Sequence, residues 1–236
     1  MEQGLAVVAR IHTDFSEKFG IPRQSGLVSG LRGEIYFEGV FRNPDAIRGI
    51  EEYSHLWLLW GFSENKRNHD SLTVAPPRLG GKERRGVFAT RSPFRPNGIG
   101  LSSVKLEEIT HREGYGPILI VSGADLLDGT PIYDIKPYLP YTDCHPKAQG
   151  GFGQAHSRTE ITVVLPPELK ALLPDKLQQT VFELLSQDPR AAYNKKKDYL
   201  YGMSFGGYDI RFTVEEDILT VKEIVKIQSS NWEKIK

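Results

Sequence analysis

Alternation of apolar and polar residues is the first regularity along the chain. From Gly33 to Val40, Ile35 and Phe37 fall on one side and Glu34, Tyr36 and Glu38 on the other, which predicts a half-buried strand. Leu5 to Ile11 alternates more loosely and is β-branched enough for another strand. A polar, turn-rich stretch from Asp14 to Ser25 follows it and contains Pro22-Arg23-Gln24. Asn43-Pro44 supplies an N-cap and a first-turn proline, so Asp45 to Arg48 is expected as a helical turn closed by Gly49. Ser54 to Phe62 (SHLWLLWGF) is a continuous apolar run, too short to span a membrane, and predicts a strand buried on both faces. Ser102 to Ile109 alternates again, and the turn His111 to Gly116 joins it to Ile118 to Val121 as a hairpin. Asp128-Gly129 is a strong turn signal before a last strand, Ile132 to Lys136. Short strands separated by turns, with almost no amphipathic helix, argue for an antiparallel barrel or sandwich.

The pattern then changes. Tyr141 to Arg158 turns to Gly, Gln, His and Ser, the composition of a linker or mobile loop. Beyond it come a strand (Thr159 to Leu165), a helix with Leu177, Val181, Leu184 and Leu185 on one face, and two strands, Tyr208 to Val214 and Ile218 to Ile227. The expected class is mainly β, an antiparallel barrel or sandwich plus a small C-terminal α+β domain, divided as residues 1–145, a linker at 146–158 and residues 159–236.

Composition narrows the partners. Thirty basic residues balance thirty acidic ones among 236, so any attraction to nucleic acid or membrane must come from a local patch. A single cysteine, Cys144, excludes an internal disulfide framework and a multi-cysteine zinc site. Six scattered histidines show no ligand spacing, and no metal is expected; His55 reads as a hydrogen-bonded residue opening a strand. The N-terminal stretch has neither a basic n-region nor a long apolar core, which leads to the expectation of a cytoplasmic protein. P-loop, metalloprotease, nucleophile-elbow and dinucleotide fingerprints are all missing.

The local patch is Arg78 to Gly100, with six basic residues, one acidic residue and five glycines. It is expected to hold one short strand, Gly86 to Thr90, flanked by basic loops that either lie solvated at the surface or aim guanidinium and N–H groups at an anion. Asp134 and Lys136, on one face after the Asp128 turn, suit either a pocket lip or a surface ion pair. Gln187-Asp188-Pro189-Arg190-Ala191-Ala192-Tyr193 runs into Asn194-Lys195-Lys196-Lys197, which suits either phosphate contact with base stacking or a solvated surface.

Six stretches in this order carry a resemblance: PRQSG (22–26), SHLWLL (54–59), PPRLGG (76–81), GVFATRSPFRPNGIGLS (86–102), DGTPIYDIKPYLP (128–140) and QDPRAAY (187–193). Together they resemble the TrmO, or TsaA-like, family of S-adenosylmethionine-dependent tRNA methyltransferases. The resemblance implies a single-sheeted N-terminal β-barrel and a homodimer with cofactor sites near the subunit interface. The reaction it implies is methylation of N6 of threonylcarbamoyladenosine, just 3′ of the anticodon in threonine tRNA. Cofactor contacts are implied for Pro22, Arg23, Gln24, Ser63, Glu64, Arg91, Leu101, Asp128, Gly129, Thr130 and Pro131. Ser63-Glu64 departs from the family's more usual histidine-glutamine pair, and Ala191 stands where the C-terminal motif usually has a second proline.

A methyl donor that joins a sulfonium, a carboxylate and an adenine needs an anion receptor, oxygens near the cation and an apolar slot. Arg91 or Arg23, the Asp128 turn and Leu101 supply these in kind. The acceptor, a ureido-type nitrogen conjugated to a purine, must lose a proton, for which Asp134, Asp188 and Tyr193 are candidate bases. Arg190, Lys195, Lys196 and Lys197 are candidate RNA contacts. The same residues also admit a methyltransferase of another substrate, or a non-catalytic RNA-binding barrel.

Overall fold

The structure, a computed structural model, describes residues 4–63, 71–79, 81, 83–155, 161–190 and 199–227. Of the candidate site residues, Glu64, Tyr193, Lys195, Lys196 and Lys197 lie outside the described residues.

Eight strands form in the N-terminal part: β1 (Ala9–Thr13), β2 (Arg32–Phe37), β3 (His55–Gly61), β4 (Thr73–Val74), β5 (Arg85–Gly86), β6 (Ile99–Arg112), β7 (Gly116–Ser122) and β8 (Thr130–Pro137). Six close into a barrel in the order β1-β2-β7-β6-β3-β8, with every neighbouring pair antiparallel. Alternation decides the inside: Ile11, Ile35, Leu56, Leu58, Leu119, Val121 and Ile132 are fully buried and pack on one another. The turn expected at Asn43-Pro44 is a 3-10 helix, Pro44–Ile47, capped by the Asn43 side chain, which accepts the Asp45 N–H.

β3 is not buried on both faces. Leu56 and Leu58 point inward, while His55 is exposed and Trp57 and Leu59 are partly covered. A closed barrel has one core, so an apolar run must place alternate side chains outside. Trp57 finds cover there, donating its indole N–H to Asp143 Oδ2 at 2.7 Å on the short helix α1 (Pro140–Asp143) and lying 5.5 Å from the Tyr138 ring.

Gly86 to Thr90 is not a single strand either. β4 and β5 make a two-residue ribbon apart from the barrel, and Val87–Ala89 turns as a 3-10 helix. Only Val87 is buried, with Phe88 80% exposed. Val87 donates its N–H to Leu72 O, and its carbonyl accepts both the N–H and the hydroxyl of Thr90, which closes the turn. One apolar anchor without alternation cannot hold an edge against a sheet.

A short helix, α2 (Gly151–Ala155), lies within the stretch expected as a linker. The C-terminal unit follows with β9 (Thr162–Val164), α3 (Pro167–Lys170), α4 (Asp175–Ser186), β10 (Tyr201–Phe205), β11 (Tyr208–Glu215) and β12 (Ile218–Lys226). Its sheet runs β10-β11-β12-β9, with β9 parallel to β12 and the other pairs antiparallel. Val181, Leu184 and Leu185 of α4 are buried against it, on the apolar stripe that the sequence predicts. β10 escapes the periodicity reading; it is tied to β11 by Gly206 and Gly207, both at positive φ.

The segment between β1 and β2 joins the two units. Phe15, Val28 and Leu31 belong to the core of the C-terminal unit, and the Phe15 ring lies 5.0 Å from that of Phe205. Asp14 O accepts the Gly206 N–H at 3.1 Å, and Glu17 Oε1 accepts the Ser204 N–H at 3.1 Å. Close approach requires two glycines: a Cβ on Gly20 would stand 2.5 Å from Met203 Sδ, and one on Gly30 would overlap the Thr180 hydroxyl. Phe15→Ala is therefore expected to cost about 3–5 kcal/mol, as for other buried phenylalanines. Urea unfolding followed separately at barrel and C-terminal probes would show both transitions moving together; a shift confined to one unit would refute the shared core.

Candidate functional site

Strand direction gathers the candidate residues. β1, β3 and β7 end, and β2, β6 and β8 begin, at the same mouth of the barrel, as their antiparallel registers require. The connections 14–31, 62–98 and 123–129 therefore all emerge there, carrying Pro22, Arg23, Gln24, Ser63, Arg91 and Asp128. Leu101 lies two residues into β6 from this mouth.

The Asp128–Pro131 turn is bound to β1. Gly129, at φ 75°, donates its N–H to Ile11 O at 2.9 Å, while its own carbonyl accepts Arg10. Asp128 Oδ1 accepts the Thr13 N–H at 3.2 Å and His12 Nδ1 at 2.9 Å, so the carboxylate is held in place with about a quarter of its side chain exposed. Thr130 and Pro131 are buried beneath it.

Across the mouth, Gln24 connects two of the candidate residues. Its Nε2 donates to Arg23 O and its Oε1 accepts Arg91 NH1. Ser25 Oγ accepts the Ser103 N–H at 3.1 Å, which seats this loop on β6 beside Leu101. Leu101 is 52% exposed and stands in register with Leu59, which in turn pairs with Asp134. Leu101, Leu59 and Asp134 therefore form a row on the outer face of three adjacent strands, with its ends about 10 Å apart.

The sequence reading missed a polar chain at the same mouth. Trp60 Nε1 donates to Ser102 Oγ at 3.0 Å, and Ser102 donates to Asp125 Oδ1 at 2.6 Å. Burial holds the Asp125 carboxyl above its usual range, opposed by the bond from Ser102, by the charge of Arg91 and by the neighbouring N–H groups of Asp125 and Ser25. The available signal was an acid in an otherwise small and apolar run, Val121 to Leu127.

Asp188 and Arg190 take places other than those expected. Arg190 Nε and NH2 donate to Asp188 Oδ1 and Oδ2 at 2.8 and 2.9 Å, and the arginine side chain is only 4% exposed. The Asp188 bond pushes the guanidinium above its usual range, so the charge persists and is neutralised internally. In this conformation Arg190 is a buried structural cation rather than an RNA contact, and Asp188 is its counterion rather than an available base. Spacing of two residues in a Pro-containing turn, with Asp188 at φ 45°, lets the two side chains fold back on each other. Arg190 O accepts Arg23 NH2 at 3.2 Å, which brings QDPR against PRQ. A cleft of about 490 Å³ opens beside this contact, lined by Lys18, Phe19, Arg23, Arg190 and Tyr199.

Asp134 forms a surface ion pair, with Oδ2 at 2.9 Å from Lys136 Nζ and Oδ1 accepting the Ile135 N–H. Cys144 is an exposed free thiol. Among the described residues, no cluster of three or more metal-ligating side chains occurs and no helix is long and apolar enough to cross a membrane.

A closed antiparallel barrel whose 14–31 connection packs into a small α+β unit is the architecture of the described residues. Residues 10–144 match a family model described as the tRNA-methyltransferase O N-terminal domain, and residues 159–227 match the TrmO C-terminal domain. The chain is 41% identical over 215 residues to the tRNA (adenine(37)-N6)-methyltransferase of Escherichia coli K12, covering 87% of this chain and 91% of the relative. It is 39% identical over 220 residues to a Pseudomonas aeruginosa PAO1 protein named as a candidate S-adenosylmethionine-dependent methyltransferase, covering 90% and 93%. The crystal structure of TrmO from Pseudomonas aeruginosa superposes with a TM-score of 0.75 at 32% identity, over 95% of this chain and 100% of that one. The chain belongs to the TrmO family.

Replacing Asp188 with Asn leaves Arg190 charged and buried without its counterion. Asp188→Asn should lower unfolding stability by about 3 kcal/mol in denaturant titration. An unchanged midpoint would show that solvent or another acid already serves Arg190.

Proposed function

We propose that this protein is an S-adenosylmethionine-dependent tRNA methyltransferase acting on N6 of the adenosine just 3′ of the anticodon, with threonylcarbamoyladenosine in threonine tRNA as its substrate. The observation carrying the proposal is the assembly at one barrel mouth of Arg91, Gln24, Leu101 and the Asp128 turn, from three separate connections and a strand. The name of the E. coli relative supports the base and the atom methylated.

The donor set fits the cofactor's chemistry. Arg91 is braced by a neutral amide oxygen, so its positive charge remains for a carboxylate. Asp128 offers a fixed carboxylate and Leu101 a half-exposed apolar surface. Pro22, Arg23, Ser63, Gly129, Thr130 and Pro131 complete the proposed contacts, with Glu64 outside the described residues. Bound S-adenosylmethionine supplies a methyl group on a sulfonium.

The protein's own part is chiefly to hold donor and acceptor in line, an effect worth up to about 7–11 kcal/mol. The acceptor N–H must also lose its proton. With Asp188 committed to Arg190, Asp134 is the described candidate, since it shares the outer row with Leu101. The 490 Å³ cleft is large enough for a nucleotide and offers Lys18 and Arg23 with the Tyr199 ring. We assign residues 1–145 to the methyltransferase barrel, 146–158 to the connection and 159–236 to tRNA binding, with Lys195, Lys196 and Lys197 on phosphates. Leu72 and Phe88, 78% and 80% exposed beside the mouth, support a homodimer contact.

Two experiments test this reading. Labelled S-adenosylmethionine should methylate threonine tRNA carrying threonylcarbamoyladenosine and not the same tRNA lacking that group; equal incorporation into both, or none, refutes the substrate. Arg91→Ala should weaken cofactor binding by about tenfold or more, close to 1.4 kcal/mol, with tRNA affinity nearly unchanged. Calorimetry showing full cofactor affinity in this variant would remove Arg91 from the site.

A further inference from the structure

We propose that Asp125 is a positioning residue of the cofactor site, whose carboxylate sets the loop 22–25, the start of β6 and Arg91 in their mutual arrangement. The inference rests on the reading of this mouth as the cofactor site.

Three segments converge on this one side chain. The Ser25 N–H, on the loop carrying Pro22-Arg23-Gln24, stands near enough to lower its proton affinity. The Ser102 hydroxyl donates to its Oδ1 at 2.6 Å from the residue after Leu101. Arg91, braced on Gln24 Oε1, is the described cation whose charge acts on it, yet among the described residues no cation makes an ion pair with it. The loop and the strand are tied a second time, because Ser25 Oγ accepts the Ser103 N–H at 3.1 Å.

The direction of the bonds is determined. Ser102 Oγ accepts the Trp60 indole N–H at 3.0 Å, and an indole nitrogen can only donate. The hydroxyl proton is then left for Asp125, which as a carboxylate only accepts. Trp60 reaches Ser102 because residue 100 is glycine; a Cβ there would overlap the indole ring. The chain Trp60 to Ser102 to Asp125 is thus built in one sense and ends on the carboxylate.

Holding a partly covered carboxylate without a paired cation is unfavourable. Apolar or neutral residues would close the mouth at lower cost, so the acid is better explained by what it orients than by stability. Asp125 acts through Ser102, whose neighbour Ser103 carries the tie to Ser25, and through its field on Arg91.

The test uses Asp125→Asn, which keeps the shape and an acceptor oxygen but removes the charge, and Ser102→Ala as a second variant. For Asp125→Asn the expected result is a melting temperature equal to or above that of the unchanged protein. The KM and calorimetric Kd for S-adenosylmethionine should rise about tenfold, with kcat within about threefold. Amide hydrogen exchange of the 22–26 segment, measured without cofactor, should accelerate about tenfold. Ser102→Ala should move the same quantities in the same direction by about threefold. Unchanged KM and unchanged exchange in both variants would overturn the proposal, as would a fall in melting temperature with KM unaffected. If the unchanged protein bound no S-adenosylmethionine, the cofactor reading would fail, while the exchange measurement would still decide whether Asp125 orders the loop.

Discussion

The burial of Phe15, Val28 and Leu31 in the core of the C-terminal unit is the interaction on which the rest of the site depends. Each such side chain contributes about 1.5–3 kcal/mol on burial. That gain offsets the entropy of ordering the segment between β1 and β2, which contains no regular element of its own. Pro22, Arg23, Gln24 and Ser25 are on this segment. The residues that approach Arg91 and β6 are therefore held from the far side by α4 and β10. The C-terminal unit fixes the conformation of the barrel's own loop, through Gly20 against Met203 and Gly30 against Thr180.

Antiparallel closure supplies the second constraint. When each strand pairs antiparallel with both neighbours, connections must sort to two ends, and one end here receives the candidate-bearing connections 14–31, 62–98 and 123–129. The barrel itself stays rigid, with a core of fully buried aliphatic side chains, so loops differing widely in sequence still meet at fixed points. Arg91 reaches this mouth from a 3-10 turn outside the barrel instead of from a strand. Its direction is set by Gln24 rather than by sheet pleating.

What was legible in the sequence follows these same physics. Period-two patterns in β1, β2 and β6 identify barrel strands because one face of each is in the core, whereas β8, buried at its first three residues, is announced by the Asp128-Gly129 turn before it. The double-sided reading of β3 fails because partial cover by α1 lets tryptophan and leucine face outward. GVFAT has the composition of a strand, but it has only Val87 to bury. The Asp188–Arg190 pair could not be read from a charge list, since that list does not say whether a guanidinium meets phosphate or folds back on a neighbour. Asp125 was hidden differently: Ser102, which donates to it, and Trp60, which donates to Ser102, are far from it in sequence and meet it only when the barrel closes.

Arg91 and Arg190 show how the same side chain is put to opposite uses. Arg190 meets a carboxylate in a two-pronged bond and is buried, so its field is cancelled at the source. Such a pair adds little net stability over an apolar replacement, because desolvation consumes most of the attraction. What it fixes is geometry: the turn it closes aims the Arg190 carbonyl at Arg23. Arg91 is instead braced by the Gln24 amide oxygen, which orients the guanidinium without neutralising it, and the nearby Asp125 is engaged by Ser102. In a chain of zero formal net charge, an anion is drawn not by total charge but by a cation whose bracing partner is neutral. Arg91 meets that condition and Arg190 does not, which distinguishes a ligand-facing arginine from a structural one.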